Sequence, residues 1–302
     1  VLSLPTVPSR FLRIGLSVLA ALLVGCRPAS DTPATPEQPD GPRIVVLAPA
    51  LAVILRDLGA ADAVVGKHAW DMVLGPGVPP VGTHDDPDLE AILRVDPTHI
   101  VVQEMEARVP RSLRDMAERE GWVVWGFPLL TLDDIVETTD ELALRLGVNG
   151  REGTPGPGAR LAASWSDVGA AADGAGRVLL LANTDPPGAM GPGSFHHQLI
   201  ASLGAEPALT DGGPWQELDH EDILRLAPDS ILVFRPAGAE RTGPAPTAED
   251  AVAALGGIAD LDVPAVRAGR VAIIDHPLGL LPASSLGEVA AEIARIFGGW
   301  HD

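Results

Sequence analysis

Two tryptophans, two glutamates and a scatter of histidines are the side chains of this sequence whose type and spacing suggest recognition chemistry. Trp70 and Trp215 fall in opposite halves of the chain, inside short polar segments: Lys67-His68-Ala69-Trp70-Asp71 and Gly213-Pro214-Trp215-Gln216. Aromatic faces opposed across a cleft suit a large flat ligand, because stacking and apolar burial need no exact hydrogen-bond match. Either indole could equally pack into its own half. Trp122 and Trp125 read as core, since they lie in an apolar strand. Glu90 and Glu221 stand 131 residues apart in closely similar segments. A matched pair of carboxylates can meet a pair of arginines through charge-assisted bonds, although an acid early in a helix also complements the helix dipole. His68, His84, His196, His197 and His276 are candidate ligands for iron or cobalt. A lone histidine is as readily surface or satisfied core. His196 and His197 are adjacent, so a helix would turn them to different faces. His84-Asp85-Asp86 reads more simply as an acidic turn than as a cation site. The sequence has no tyrosine, so no tyrosinate can bind iron.

These residues need a scaffold, and its periodicity is legible. The apolar, β-branched run at 43–48 predicts a buried strand, followed by a helix at 50–58 that Gly59 stops. The pattern predicts a strand at 64–66, a helix at 88–94, a strand at 99–102, a helix at 110–120 and a strand at 122–125. Alternating strands and helices imply parallel sheets covered on both faces. Residues 88–102 align with 219–233 at a constant offset of 131, with eight of fifteen positions identical. Residues 43–48 also resemble 177–182, and each half has a helix ending in Leu-Gly-Ala. The reading is two related α/β lobes, Rossmann-like, with a ligand cleft between them. Helical patterns at 132–146 and 159–172, separated by a Gly/Pro insert at 150–158, predict a stiff helical linker. Cleft residues belong in loops at the carboxyl ends of strands. That points to 67–71 with His68 and Trp70, 183–195 with Phe195, 213–216 with Trp215 and Gln216, and 275–277 with His276.

The first 26 residues read as an address. Arg10 and Arg13 precede an apolar run at 14–24 that is too short to span a bilayer but suits a signal-peptide core. It ends in Leu23-Val24-Gly25-Cys26, which resembles the bacterial lipobox. There the thiol takes a diacylglycerol and the chain is cleaved just before it. Cys26 is the sole cysteine, so no intramolecular disulfide is available. Several acyl tails would anchor the chain stably. The proline-rich stretch at 28–42 has almost nothing to bury and reads as an extended tether of at most about 50 Å. The expected organisation is therefore a signal peptide at 1–25, a lipidated cysteine and tether at 26–42, a first lobe at 43–130, a helical linker at 131–172 and a second lobe at 173–302.

A net charge of −20 argues against nucleic acid as a partner, because phosphate would be repelled. The sequence has no Gly-x-Ser-x-Gly elbow, no His-Glu-x-x-His and no phosphate-binding Gly-Lys-Ser/Thr loop. His220-Glu221 fails the zinc pattern because Leu224 stands where the second histidine belongs. The chain reads as a binding protein and not as an enzyme, a lipid-anchored hydrolase being the weakest alternative.

The segments Arg43-Ile44-Val45-Val46-Leu47-Ala48-Pro49, Val81-Gly82, Pro87-Asp88-Leu89-Glu90-Ala91-Ile92-Leu93, Gly191-Pro192-Gly193-Ser194-Phe195 and Asp219-His220-Glu221-Asp222-Ile223-Leu224 resemble the periplasmic binding proteins for cobalamin and ferric siderophores. The resemblance covers roughly 43–297. It implies two lobes joined by one long helix, an expectation that the Gly/Pro insert at 150–158 opposes. It also implies capture of a metal chelate (a corrinoid, haem or a ferric siderophore) as a monomer that serves an ABC permease. Glu90 and Glu221 match the positions that dock onto permease arginines, and Trp215 with Gln216 resembles the aromatic loop of corrinoid binders. No intrinsic cofactor is implied. A binding protein for free divalent metal ions and a non-transport sensor of the same fold remain alternatives.

Overall fold

The computed structural model describes residues 41–148, 153–166, 172, 174–237 and 244–300. The expected signal peptide, Cys26 and all but the end of the tether lie outside the described residues. Among the described residues, no helix is long and apolar enough to cross a membrane.

The first lobe opens with β1 (Ile44–Val46), buried throughout. Next comes α1 (Pro49–Asp57), whose leading proline is at home in a first helical turn. Six consecutive residues of α1, Ala50 to Leu55, are buried. A helix apolar on every side must be walled in on every side, so α1 is a central element of the molecule. The lobe continues through β2 (Val64–Lys67), α2 (Leu89–Val95), β3 (His99–Val102), α3 (Arg111–Glu120) and β4 (Val123–Gly126). Its sheet is parallel, in the order β2-β1-β3-β4. Trp125 is buried, and Trp122 packs half-buried on the sheet's other face, in line with their reading as core.

The link between lobes is helical, but it is a pair of helices and not one long rod. α4 (Leu132–Arg145) starts with a capping box between Thr131 and Asp134. Its first backbone N–H donates to Gln198 of the second lobe, and its last residue, Arg145, stacks over Trp125 and Phe127 of the first. α4 thus spans the junction. α5 (Pro157–Ser166) then packs back against it. The Gly/Pro insert makes this possible. Pro157 suits a first turn, and Gly158 lies so close to α4 that a methyl there would stand 2.7 Å from the Val136 carbonyl oxygen. The part of the insert at 150–152, and residues 167–171 of the predicted second helix, lie outside the described residues.

The second lobe comprises β5 (Arg177–Thr184), β6 (Pro187–Met190), α6 (Phe195–Ser202), β7 (Glu206–Pro207), β8 (Trp215–Glu217), α7 (His220–Leu226), β9 (Ser230–Phe234), α8 (Ala248–Ala254), α9 (Pro264–Arg267), β10 (Val271–Ile274) and α10 (Leu286–Gly298). The parallel set β7-β5-β9-β10 repeats β2-β1-β3-β4 of the first lobe. The expectation of wholly parallel sheets needs one correction. β6 pairs antiparallel with the last residues of β5, and β8 pairs antiparallel with β6. The N-terminal half of β5 is held by the short β7, which leaves its C-terminal half free to fold back on itself as a hairpin.

The repeat extends to hydrogen bonds. α2 is capped by Asp88 and α7 by Asp219, each carboxylate accepting from the backbone N–H three residues on. Both helices end in a left-handed residue, Asp96 at φ 47° and Ala227 at φ 45°. Arg43 just precedes β1 and Arg177 begins β5, and they donate to the last carbonyls of α2 and α7, those of Val95 and Leu226. Basic groups at carbonyl ends complement the helix dipole. The two lobes therefore hold α2 and α7 rigidly and alike.

Burial explains why the lobes form one body. A single apolar core runs from one face of the first sheet (Val46, Val101, Trp125) through α1, α4 and α5 to α6, α10 and the second sheet (Leu180, Phe234). The opposite faces of the two sheets carry separate cores of their own. Ser284 adds a hydrogen bond to Asp57 of the other lobe. Shared burial of this extent opposes a large hinge motion.

Candidate ligand-binding cleft

The carboxyl ends of both parallel sheets face the space between the lobes, where an open α/β architecture places its ligands. The β4 end of the first lobe approaches the hairpin of the second. Here a cavity of about 420 Å³ is lined by Leu129, Leu130, Met190, Phe195, Pro214, Trp215 and Leu280, with Asn183, Ser194 and His196 as polar members. Three of its apolar residues are unusually open: Leu130 at 58% exposure, Trp215 at 49% and Leu280 at 37%. Open apolar residues gathered around one recess mark a binding site more than a packing accident.

Trp215 is positioned from behind. Its indole lies on the backbone of Gly188 in β6, where an added methyl would stand 2.5 Å from the ring. β6 and β8 pair with Met190 opposite Trp215. Phe195 opens α6, with Ser194 as its cap accepting from the His197 backbone. The polar members are mostly satisfied within the protein. Ser194 Oγ donates to the Gly191 carbonyl, 2.8 Å away. His196 Nε2 donates to the Gly279 carbonyl at 2.9 Å, and its ring packs between Phe195 and Phe234.

Burial drives the His196 imidazole down to about 4, opposed only in part by the Gly279 carbonyl. A histidine held neutral in the fold binds fewer protons than it does in the unfolded chain, so stability rises with pH across that interval. Its contribution, about 3 kcal/mol, is fully present above about pH 6.5 and is lost as pH falls toward about 4. His196→Asn keeps a donor for Gly279 and should flatten the slope of unfolding free energy between those two pH values. Urea titrations across the range check this, and an unchanged slope would show that the imidazole is not buried neutral.

The other sequence-chosen residues lie outside this cavity. Gln216 neighbours Trp215, but consecutive strand residues point to opposite faces. Its amide donates to the Asp211 carbonyl at 2.7 Å and lies against Gly212. It holds the loop that precedes β8. His68 is buried. Its Nδ1 accepts from the Trp70 backbone N–H at 3.1 Å, and burial, together with neighbouring His84, lowers its proton affinity, Asp71 opposing. A metal on Nε2 would require a proton on Nδ1, where that N–H already points. Trp70 is 76% exposed, edge-on to His68. His276 accepts from the Leu278 backbone at Nδ1 and donates to Glu288 at Nε2, so both ring nitrogens are engaged. It lines a second recess of about 460 Å³ with Met72 and Val73 of the loop after β2. The structure thus gathers Trp215 with Phe195, and separately His276 with the loop that carries Trp70. Leu129, Leu130, Met190 and Leu280 were missed in the sequence because apolar residues there read as core. Their place just after β4, in β6 and after β10 was the available signal.

Glu90 and Glu221 are exposed, each at the second position of its helix. No three His, Cys, Asp or Glu side chains come together as a metal site among the described residues.

Comparisons with known proteins agree with this architecture. The chain is 25% identical over 204 residues to the vitamin B12-binding protein of Salmonella typhimurium, covering 65% of this chain and 74% of that protein. It superposes on the apo form of a periplasmic heme-binding protein from Roseiflexus sp. RS-1 with a TM-score of 0.64, at 23% identity, covering 87% of this chain and all of the other. It also superposes on the periplasmic vitamin B12 binding protein of Vibrio cholerae with a TM-score of 0.63, at 16% identity, covering 86% of this chain and 98% of the other. These structural likenesses establish the fold. The family model described as periplasmic binding protein matches residues 44–278, nearly the whole two-lobed body, and the chain belongs to that family.

Proposed function

We propose that this chain is the capture subunit of an ABC importer for a metal chelate, in the class of a corrinoid, haem or a ferric siderophore. The observation that carries the reading is the apolar cavity between the lobes, walled by Trp215 and Phe195 and rimmed by exposed leucines. Such a wall suits the face of a large ring better than it suits a sugar or an amino acid, whose polar groups would need partners. A free divalent cation would need several His and carboxylate donors, and the cavity lining has one histidine and no carboxylate. Related proteins named for vitamin B12 and heme support the class. Export and a lipid anchor at Cys26 follow from the leader, and the tether at 26–42 lets a monomeric body work beside a membrane. Glu90 and Glu221 are the groups offered to the permease, supported by their exposure and identical placement on α2 and α7.

Titration of residues 27–302 with cyanocobalamin, hemin and a ferric hydroxamate tests the ligand class, followed by tryptophan fluorescence and visible absorbance. One of them should bind at micromolar concentration or tighter. Binding of zinc or manganese with none of the chelates would refute the proposal.

A further inference from the structure

The repeat keeps more than folding requires. Within 88–102 and 219–233, four aligned positions are exposed in both copies, and all four carry the same residue: Asp88 and Asp219, Glu90 and Glu221, Leu93 and Leu224, Arg94 and Arg225. The aspartates are helix caps, which the fold explains. The glutamates and arginines also complement the helix dipoles, and Arg225 bonds Asp222, but no helix-end role of this kind explains the leucines. Of the five aligned positions buried in both copies, four are identical and one has drifted, Val101 against Leu232. A duplicated unit under folding constraint alone keeps its core and lets its surface diverge. Here the surface has been kept as strictly as the core.

Leu93 is 40% exposed and Leu224 is 44% exposed, and neither belongs to an apolar core of its lobe. Each lies three residues after its glutamate, on the same side of the helix. Both helices are fixed by the same caps at both ends. Two identical patches, each an acid beside an open leucine, therefore stand on one rigid body.

We infer that Leu93 and Leu224 form a matched apolar docking pair, each entering an apolar recess beside a cationic side chain on a partner with two equivalent sites. The inference rests on the reading of Glu90 and Glu221 as docking groups, and adds what the partner must present beside its cations. A charge pair on an open surface is screened by salt, whereas burial of a leucine is not. The leucines supply the part of the contact that persists at physiological ionic strength.

The test uses cells whose sole capture protein is the full chain, fed radiolabelled cyanocobalamin, hemin or a ferric hydroxamate. Burying two half-exposed leucines is worth enough that Leu93→Gln/Leu224→Gln should slow uptake roughly tenfold. Chelate affinity and melting temperature of the purified body should be unchanged, each single variant should be intermediate, and Leu93→Met/Leu224→Met should restore uptake. Residual uptake in the glutamine pair should also fall more steeply with added salt. Normal uptake in the leucine pair, with uptake lost in Glu90→Gln/Glu221→Gln, overturns this inference and leaves the docking glutamates standing. Normal uptake in both overturns both. A dimer of the purified body that the leucine pair abolishes would assign the patches to self-association and overturn the inference. No uptake of any of the three compounds by the unaltered chain overturns the importer reading and this inference with it.

Discussion

Trp215→Ala lowers the affinity of the body for its chelate about 30-fold, as removal of a central aromatic contact does at other interfaces. The indole is half exposed at the rim of an apolar cavity, so it has a face to give. The loss should appear in the dissociation constant by isothermal titration, with the melting temperature little changed. Gly188→Ala is the sharper companion. It keeps the tryptophan but puts a methyl 2.5 Å from the ring's present position, and the contacting atoms are a rigid ring and not the end of a flexible side chain. The ring must swing, so affinity should fall in the same direction while the chelate still quenches Trp215 fluorescence. An affinity unchanged by either substitution would remove Trp215 from the site.

Glu90→Ala/Glu221→Ala abolishes uptake and leaves chelate affinity where it was. Both carboxylates are exposed at the same helical position, on helices held by an aspartate at one end and an arginine at the other. Nothing about the cavity depends on them. Each single substitution should retain part of the activity, because two charge-assisted contacts are offered and one survives. The measurement is uptake rate against chelate concentration in cells expressing each variant at equal level. Full uptake in the double variant would refute docking through these residues.

The parts legible in the sequence were those set by local chemistry. α2 and β3 could be read together with α7 and β9, because caps, apolar spacing and the Leu-Arg pair recur at one offset. The exposed glutamates came out of the same comparison. The hairpin of β6 and β8 was not legible. β6 is Pro187-Gly188-Ala189-Met190, a composition that reads as a turn, and β8 is three residues long, so only distant pairing makes either a strand. With β8 hidden, Trp215 and Gln216 read as one loop, and the strand alternation that sets Gln216 outside the cavity lined by Trp215 is not visible in the sequence. The helical hairpin of α4 and α5 was half legible: the Gly/Pro insert signalled a break, but not that Gly158 would rest on α4. The shared core was hidden for a similar reason. An apolar face that packs against another lobe has the same pattern as one that packs within its own.

The central claim is that a metal chelate is held between the lobes against Trp215. A crystal structure of residues 27–302 with whichever chelate titrates most tightly tests it most directly. The broad face of the chelate should lie against Trp215, its edge among Leu129, Leu130 and Leu280, with α4 and α5 unmoved between free and bound forms. A chelate seated elsewhere, with the cavity beside Trp215 filled only by solvent, would contradict it.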